Sequence, residues 1–382
     1  MATNNYKCPA CHGVLEFDIK TQKLKCPYCG SEYEISDFED DVTPAEAAEK
    51  EAAEAEEEKP KQEAEKSEGG NSLGIDTNAG GQWAEGEADH LHVYTCNSCG
   101  GEIVGDDNLA AARCPYCDSV LVRKEAIAGS LRPDYVIPFK LEKQQAKEAF
   151  AKHLLGKKLV SKEFVNENKI DEIKGVYVPF WLFDVDADAD LNFECSNTAS
   201  HRSGDYIITS TDIYDFATGG SVGFNNIPVD GSSKMADDMM ESLEPFDFSE
   251  AVPFQTAYLA GYMADKYDVD IDASMPNVNR RIVGSVTAEF RKEVPSYGSV
   301  NIKNDSVKIR DSKAKYALYP IWVLSIRWQN KVYTYMMNGQ TGKFVGDALP
   351  EDKRKAKMMR WIPTGILAGA GLVLGLIAGL VL

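Results

Sequence analysis

Eight of the nine cysteines fall into two copies of one unit, C-x2-C-x14-C-x2-C. Cys8, Cys11, Cys26 and Cys29 form the first copy, and Cys96, Cys99, Cys114 and Cys117 the second. Tyr6 and Tyr94 stand at the same place ahead of each copy, and both second pairs read CPYC. Two cysteines so spaced grip one ion from a tight turn, and zinc takes four thiolates in a tetrahedron. The intervening residues suffice for a hairpin that brings the second pair opposite the first. There Leu15, Phe17 and Ile19 alternate with Glu16 and Asp18, a strand pattern. Paired cysteines also serve iron–sulfur clusters and redox exchange, but two matched sets of four point to zinc. We therefore expect two structural zinc ions, each with a full shell and no catalytic role. Ribbons this small bury little core, so metal supplies their folding free energy, on the order of 10–16 kcal/mol.

Other residues near these units carry secondary readings. Gly13, Gly30 and Gly100 follow cysteine pairs, where a positive φ is convenient. His12, His90 and His92 are read as surface residues, since each site already has four thiolates. Cys195, in LNFECSN, reads as a buried structural thiol, with a nucleophile as the alternative.

The C-terminus constrains location. Residues 362–382 run twenty-one positions without a charge. As a helix they would span roughly 30 Å, the thickness of a bilayer core. Lys353, Arg354, Lys355, Lys357 and Arg360 precede them, with Trp361 at the boundary. Positive charge stays cytoplasmic, so we expect a single-pass cell-membrane protein whose N-terminal bulk is cytoplasmic. Disulfides are then not expected. Gly365, Gly369, Gly371, Gly375 and Gly379 share about half of the helix circumference. Such spacing suits helix association and a homo-oligomer, although glycine is also common in such spans.

The fold class expected is α+β: two N-terminal four-cysteine zinc ribbons, an α+β C-terminal domain and one C-terminal transmembrane helix. The first ribbon occupies 1–38. An acidic flexible linker covers 39–90; over 39–68 it carries nine net negative charges. The second ribbon occupies 91–127, the α+β domain 128–350, and the basic juxtamembrane segment 351–361. Within the domain, LEKQQAKEAFAKHLL, 256–268 and 278–292 read as helices, while GVYVPFWLFDVDADADLNFEC and YIITSTDIYDF read as strands. Two pieces resemble each other, Tyr177 to Trp181 (YVPFW) and Leu318 to Trp322 (LYPIW). Equivalent edge strands of a pseudo-repeat would explain them, as would coincidence.

Several chemistries fit poorly. Asp184, Asp186, Asp188 and Asp190 lack the glycine and glutamate of a calcium loop and describe a strand with one solvated face. NGQTGK lacks the phosphate-loop pattern and reads as a hairpin turn. The five histidines make no triad, and we expect no enzyme. The net charge of −19, with acids exceeding bases by one in each ribbon, argues against nucleic acid as the partner. A membrane-tethered nucleic-acid binder of the zinc-ribbon type is the alternative.

The paired ribbons, KGVYVPFWLFDVDAD, YALYPIWVL, MNGQTGKFVGD and the apolar tail together resemble a bacterial family of TFIIB-type zinc-ribbon membrane proteins, of the YdjG-like type. Some members have been described as relatives of the primosomal helicase PriA; no nucleotide-binding loop supports that here. The resemblance implies a membrane platform that works with a flotillin-like protein and helps place phage-shock protein A at the bilayer. The expected function is thus a tail-anchored adaptor for cytosolic protein partners, in a membrane-stress system of that type.

Overall fold

The computed structural model describes residues 6–38, 73–106, 113–127, 130–155, 164 and 170–350. The acidic stretch 39–72, the basic segment 351–361 and the apolar segment 362–382 lie outside the described residues. Among those described, no helix is long and apolar enough to cross a membrane. The fold is mixed α+β with more strand than helix.

Strands β1 (Glu16–Asp18), β2 (Lys23–Lys25) and β3 (Glu32–Tyr33) make a small antiparallel sheet inside the first ribbon. Among the described residues all other strands join one eleven-stranded sheet, at one end of which β10 (Val252–Pro253) pairs with β7 (Tyr135–Val136). Its second-ribbon members are β4 (His92–Cys96), β5 (Glu102–Gly105) and β6 (Leu121–Ala126). Its centre is two thirty-residue strands, β8 (Lys174–Ser203) and β12 (Ser299–Trp328), paired antiparallel from Ser196↔Ser299 to Lys174↔Val323. Strand β9 (Tyr206–Asp230) returns along the other side of β8. Two-residue alternation decides which face of β8 is covered. Phe183, Val185, Ala187, Ala189, Leu191, Phe193 and Cys195 are buried, and the aspartates between them face the other way. The buried face meets helix α3 (Ile271–Arg291), whose Val278, Ile282, Val286 and Phe290 recur at helical spacing. Helix α1 (Lys143–Leu155) matches the expected LEKQQAKEAFAKHLL.

The YVPFW and LYPIW segments are not edge strands, as their prolines suggest, but neighbours at the centre of the sheet. Pro179 pairs with Leu318 and Pro320 with Tyr177. The outer side of β8 is bonded to β11 (Met263–Asp265) as far as Tyr177 and to β9 from Phe180 onward. Pro179 falls in the gap between these partners, where no outward N–H is needed. The outer side of β12 changes in the same way, from β7 (Tyr135–Val136) up to Leu318 to β13 (Lys331–Asn338) from Ile321. Pro320 falls in that gap.

The two halves repeat in detail. Gly231 N–H donates to Pro179 O at 3.0 Å, and Gly339 N–H to Pro320 O at 2.8 Å. Ser232 N–H donates to Asp230 Oδ1, and Gln340 N–H to Asn338 Oδ1. Val269 N–H donates to Gly231 O, and Leu141 N–H to Gly339 O. Counted from the equivalent positions Val136, which pairs with Leu318, and Ala264, which pairs with Tyr177, helices α1 and α3 begin at the same distance along the chain. The domain is therefore a pseudo-twofold pair of β–α–β–β units, with the axis between β8 and β12.

Three sequence expectations need correction. Residues 256–268 form a 3-10 turn (Thr256–Leu259) and β11, not a helix, because Gly261 takes φ 82° and Met263 and Ala264 find a parallel ladder on β8. Residues 73–90, expected as flexible linker, lie on the domain. Ile75 is buried, Trp83 donates to Ser130 O at 2.9 Å, and Gly81 exchanges two 2.9 Å bonds with Arg132. His90 and His92 are buried rather than superficial; His92 lies within 3.0 Å of Arg123, and His90 meets the Tyr6 ring edge-on. The turn reading of NGQTGK holds: it joins β13 to β14 (Phe344–Gly346), with Gly342 at φ 78°.

Candidate metal centres

Four turns carry the eight cysteines, and all four are built alike. His12 N–H, Gly30 N–H, Gly100 N–H and Asp118 N–H donate back to the carbonyls of Cys8, Cys26, Cys96 and Cys114. Each of those cysteines in turn donates its N–H to the residue five positions on, at 2.7–2.9 Å. The residue just past each pair takes a positive φ: His12 60°, Gly30 76°, Gly100 71° and Asp118 58°. Glycine supplies that conformation in two turns only. In the first it is His12 rather than Gly13, and no glycine signal marks the fourth.

These turns place the sulfurs face to face. Cys8 Sγ lies 3.5 Å from Cys29 Sγ, and Cys11 Sγ 3.4 Å from Cys26 Sγ. Cys96 Sγ lies 3.4 Å from Cys117 Sγ, and Cys99 Sγ 3.6 Å from Cys114 Sγ. Within each set all four ligand atoms lie within 4.8 Å of one another. A tetrahedron with zinc–sulfur bonds of about 2.3 Å has edges of roughly 3.8 Å, so the sets fit zinc and are far too open for disulfides. Burial pushes the Cys114 thiol up, while the Tyr33 hydroxyl beside Cys8 lowers that thiol to about 6. Four thiolates this close repel one another unless a dication neutralises them. Each group can thus hold one zinc ion with no ligand position left over.

The two sites differ in setting. The first ribbon buries Leu15, Phe17 and Leu24 against Ala257 of the 3-10 turn and Ala260 just after it. Phe17 N–H donates to Ala260 O at 3.1 Å, and the Tyr6 and Thr256 hydroxyls are 2.6 Å apart. The ribbon is therefore seated on the domain rather than held only by its tether. The second ribbon is part of the main sheet. Lys174 donates to Cys114 O, Ser325 to Pro115 O and Arg327 to Cys117 O. The shared CPYC motif shows the contrast: Tyr28 is 77% exposed and Tyr116 8%. Cys195 is buried, as expected, on β8 and belongs to neither group. Among the described residues these two sets are the only groups with metal-holding geometry, and the aspartates of β8 form none.

Beneath the second ribbon lies a feature with no sequence signal. Asp265 is buried, and Ser232 Oγ donates to its Oδ2 at 2.5 Å. Burial raises Asp265 to about 7 and nearby Asp230 to about 8. Its residues are scattered along the chain, and only the turn after β9 and the end of β11 bring them together.

Two closed four-cysteine groups on one folded domain define a zinc-ribbon protein. The Trm112p-like protein family matches residues 7–37, the first ribbon. The chain is also 30% identical over 374 residues to an uncharacterized protein, YdjG, of Bacillus subtilis (strain 168), covering 98% of this chain and 97% of that one. The chain belongs to the family of that protein. No solved structure matches it.

Proposed function

We propose that the chain is a tail-anchored adaptor that recruits cytosolic proteins to the cell membrane, with its bulk on the cytoplasmic side. The observation that supports this most is the unequal use of the two ribbons. The second is absorbed into the sheet, whereas the first leaves the Tyr28 knuckle open to solvent. A rigid, metal-stiffened knuckle with an exposed aromatic is a good anchor for a protein partner. Acids exceed bases by one in that ribbon, which suits a protein better than a polyanion. The apolar segment 362–382, behind five cations, supports the membrane anchor, and its glycines support helix association there. The TFIIB-type resemblance extends the reading to a flotillin-like protein and phage-shock protein A as partners, in a membrane-stress role without enzymatic activity.

Affinity capture from membranes tests the reading, with wild type compared against Cys26→Ser, Cys114→Ser and Tyr28→Ala. Loss of one defined set of partners in Cys26→Ser and Tyr28→Ala supports recruitment by the first ribbon. Unchanged partners in both would overturn it. A salt-dependent gel shift tests the nucleic-acid alternative, which requires a steep fall of affinity with salt.

A further inference from the structure

The long strands β8, β9 and β12 project as an arm. At about 3.3 Å per residue, the thirty residues of β8 reach roughly 100 Å from end to end. Strand β12 flanks β8 only to Ser196, so beyond that point β8 and β9 continue as a two-stranded tip. Among the described residues β9 pairs with β8 alone, which leaves its outer row of N–H and C=O groups without a strand partner. Folded proteins guard such edges with lysine, proline or bulges. Here none is present over most of the length. From Ser203 to Ser233 the chain has no lysine or arginine, and its first proline is Pro228. Tyr206, Ile207 and Ile213 are 77%, 76% and 65% exposed.

Charge says what this edge fits. Its own charged groups are Asp212, Asp215 and Asp230, with Asp205 in the turn before it. Cross-strand pairing sets Asp215 beside Glu194, Gly219 beside Asp190 and Gly223 beside Asp186, which puts an acidic stripe next to the edge. At the tip Arg202 of β8 donates to Gly204 O, and farther along the arm the cations come from β12 on the far side, where Arg310 pairs with Asp188, Lys315 with Asp184, and Lys303 reaches across to Asp215. Among the described residues, Asp186, Asp190, Glu194 and Asp212 have no ion-pair partner. A second copy would bring the same acids edge to edge, and like charges opposite one another destabilise a sheet.

We propose that the outer edge of β9 receives an extended segment of another protein by strand addition. That segment carries lysine or arginine alternating with β-branched or aromatic residues. Main-chain bonds to the edge give affinity, and the acidic stripe selects the cationic strand. This surface is separate from the Tyr28 knuckle, so a Tyr28→Ala chain that loses its ribbon partner still binds here.

The test is selection of a displayed library of random peptides, about twelve residues long, on the purified full-length chain in detergent. Selected peptides are then measured against Thr211→Lys and Ile213→Lys. Both substitutions lie on the exposed strand, and retention of both zinc ions verifies folding. We expect lysine and arginine to be enriched about threefold over the unselected library, and binding to fall roughly tenfold in each variant. Amide exchange over 207–217 should slow when the peptide binds. Peptides without cationic bias, or binding unchanged in both variants, would overturn the proposal. So would a dimer of the chain that both variants convert to monomer, since that assigns the edge to a second copy.

Discussion

Trp181 and Trp322 make the same bond in two places. The Trp181 indole N–H donates to Val269 O at 3.0 Å, and the Trp322 indole N–H to Leu141 O at 2.8 Å. Both rings are buried, and each bond ties a central strand to the segment leading into a helix. Replacing either tryptophan by phenylalanine leaves a part-buried carbonyl short of a donor. Each change should cost about 1–3 kcal/mol, and the two costs should agree within about 1 kcal/mol. Urea unfolding of the two variants checks this; a large cost in one and none in the other would contradict the equivalence of the halves.

The turns that complete the two halves are not equally tolerant. A Cβ on Gly339 would lie 2.6 Å from the Phe139 ring and 2.9 Å from Pro320 O, whereas on Gly231 the nearest atom is 3.2 Å away. Gly339→Ala should therefore destabilise by about 1–3 kcal/mol and Gly231→Ala by less. Thermal unfolding of the two variants ranks them.

The tyrosines of the two CPYC motifs should separate binding from stability. Tyr28→Ala removes an exposed ring and should change stability by no more than about 0.5 kcal/mol. Tyr116→Ala empties a buried site beside Asp265 and should cost about 3–5 kcal/mol, as other buried aromatic truncations do. Denaturation midpoints measure both.

Metal content provides a direct count. The full chain should carry two zinc ions, and Cys26→Ser and Cys114→Ser should each retain one. Because binding contributes on the order of 10–16 kcal/mol to each ribbon, a strong chelator should melt them. Loss of the second ribbon should disturb the main sheet as well, since β4, β5 and β6 belong to it. Elemental analysis and circular dichroism before and after chelation report these outcomes.

Asp230 and Asp265 predict a dependence on pH. An unfolded aspartate titrates near 3.9, while burial holds these two at about 8 and about 7. The folded chain therefore binds more protons than the unfolded chain between about pH 4 and pH 8. Stability should fall as pH rises through that window, by up to about 1.4 kcal/mol per pH unit for each group. Asp230→Asn keeps an oxygen for Ser232 N–H and reproduces Asn338 of the other half. Its melting temperature should exceed that of wild type at pH 8.5, with the gap narrowing toward pH 5. Taking the difference between variant and wild type cancels the zinc–thiolate dependence that both share.

Much of this was legible in the chain because it depends on local spacing. The eight cysteines, the alternation of Asp184 to Asp190 with apolar residues, and the hairpin at NGQTGK each follow from the geometry of a few neighbouring residues. A turn needs only its own bonds, and a strand's two faces follow from its period of two. The glycine signal at the metal turns was less faithful, because His12 and Asp118 accept the left-handed conformation once the bonds around a cysteine pair impose it.

Position in space was a different matter. Only the tertiary structure decided that YVPFW and LYPIW lie side by side at the centre of the sheet. A proline there is tolerated only where the outer partner strand changes, and that change depends on β7, β9, β11 and β13 arriving from distant parts of the chain. It also decided that Trp83 and Ile75 leave a glycine-rich stretch to pack on the domain, and that identical CPYC motifs present one tyrosine to solvent and bury the other. The sequence by itself determined the two metal sites, since four ligands and their turns are local. Which of them faces outward was set by long-range packing, because burial is a property of what arrives from elsewhere and not of the motif.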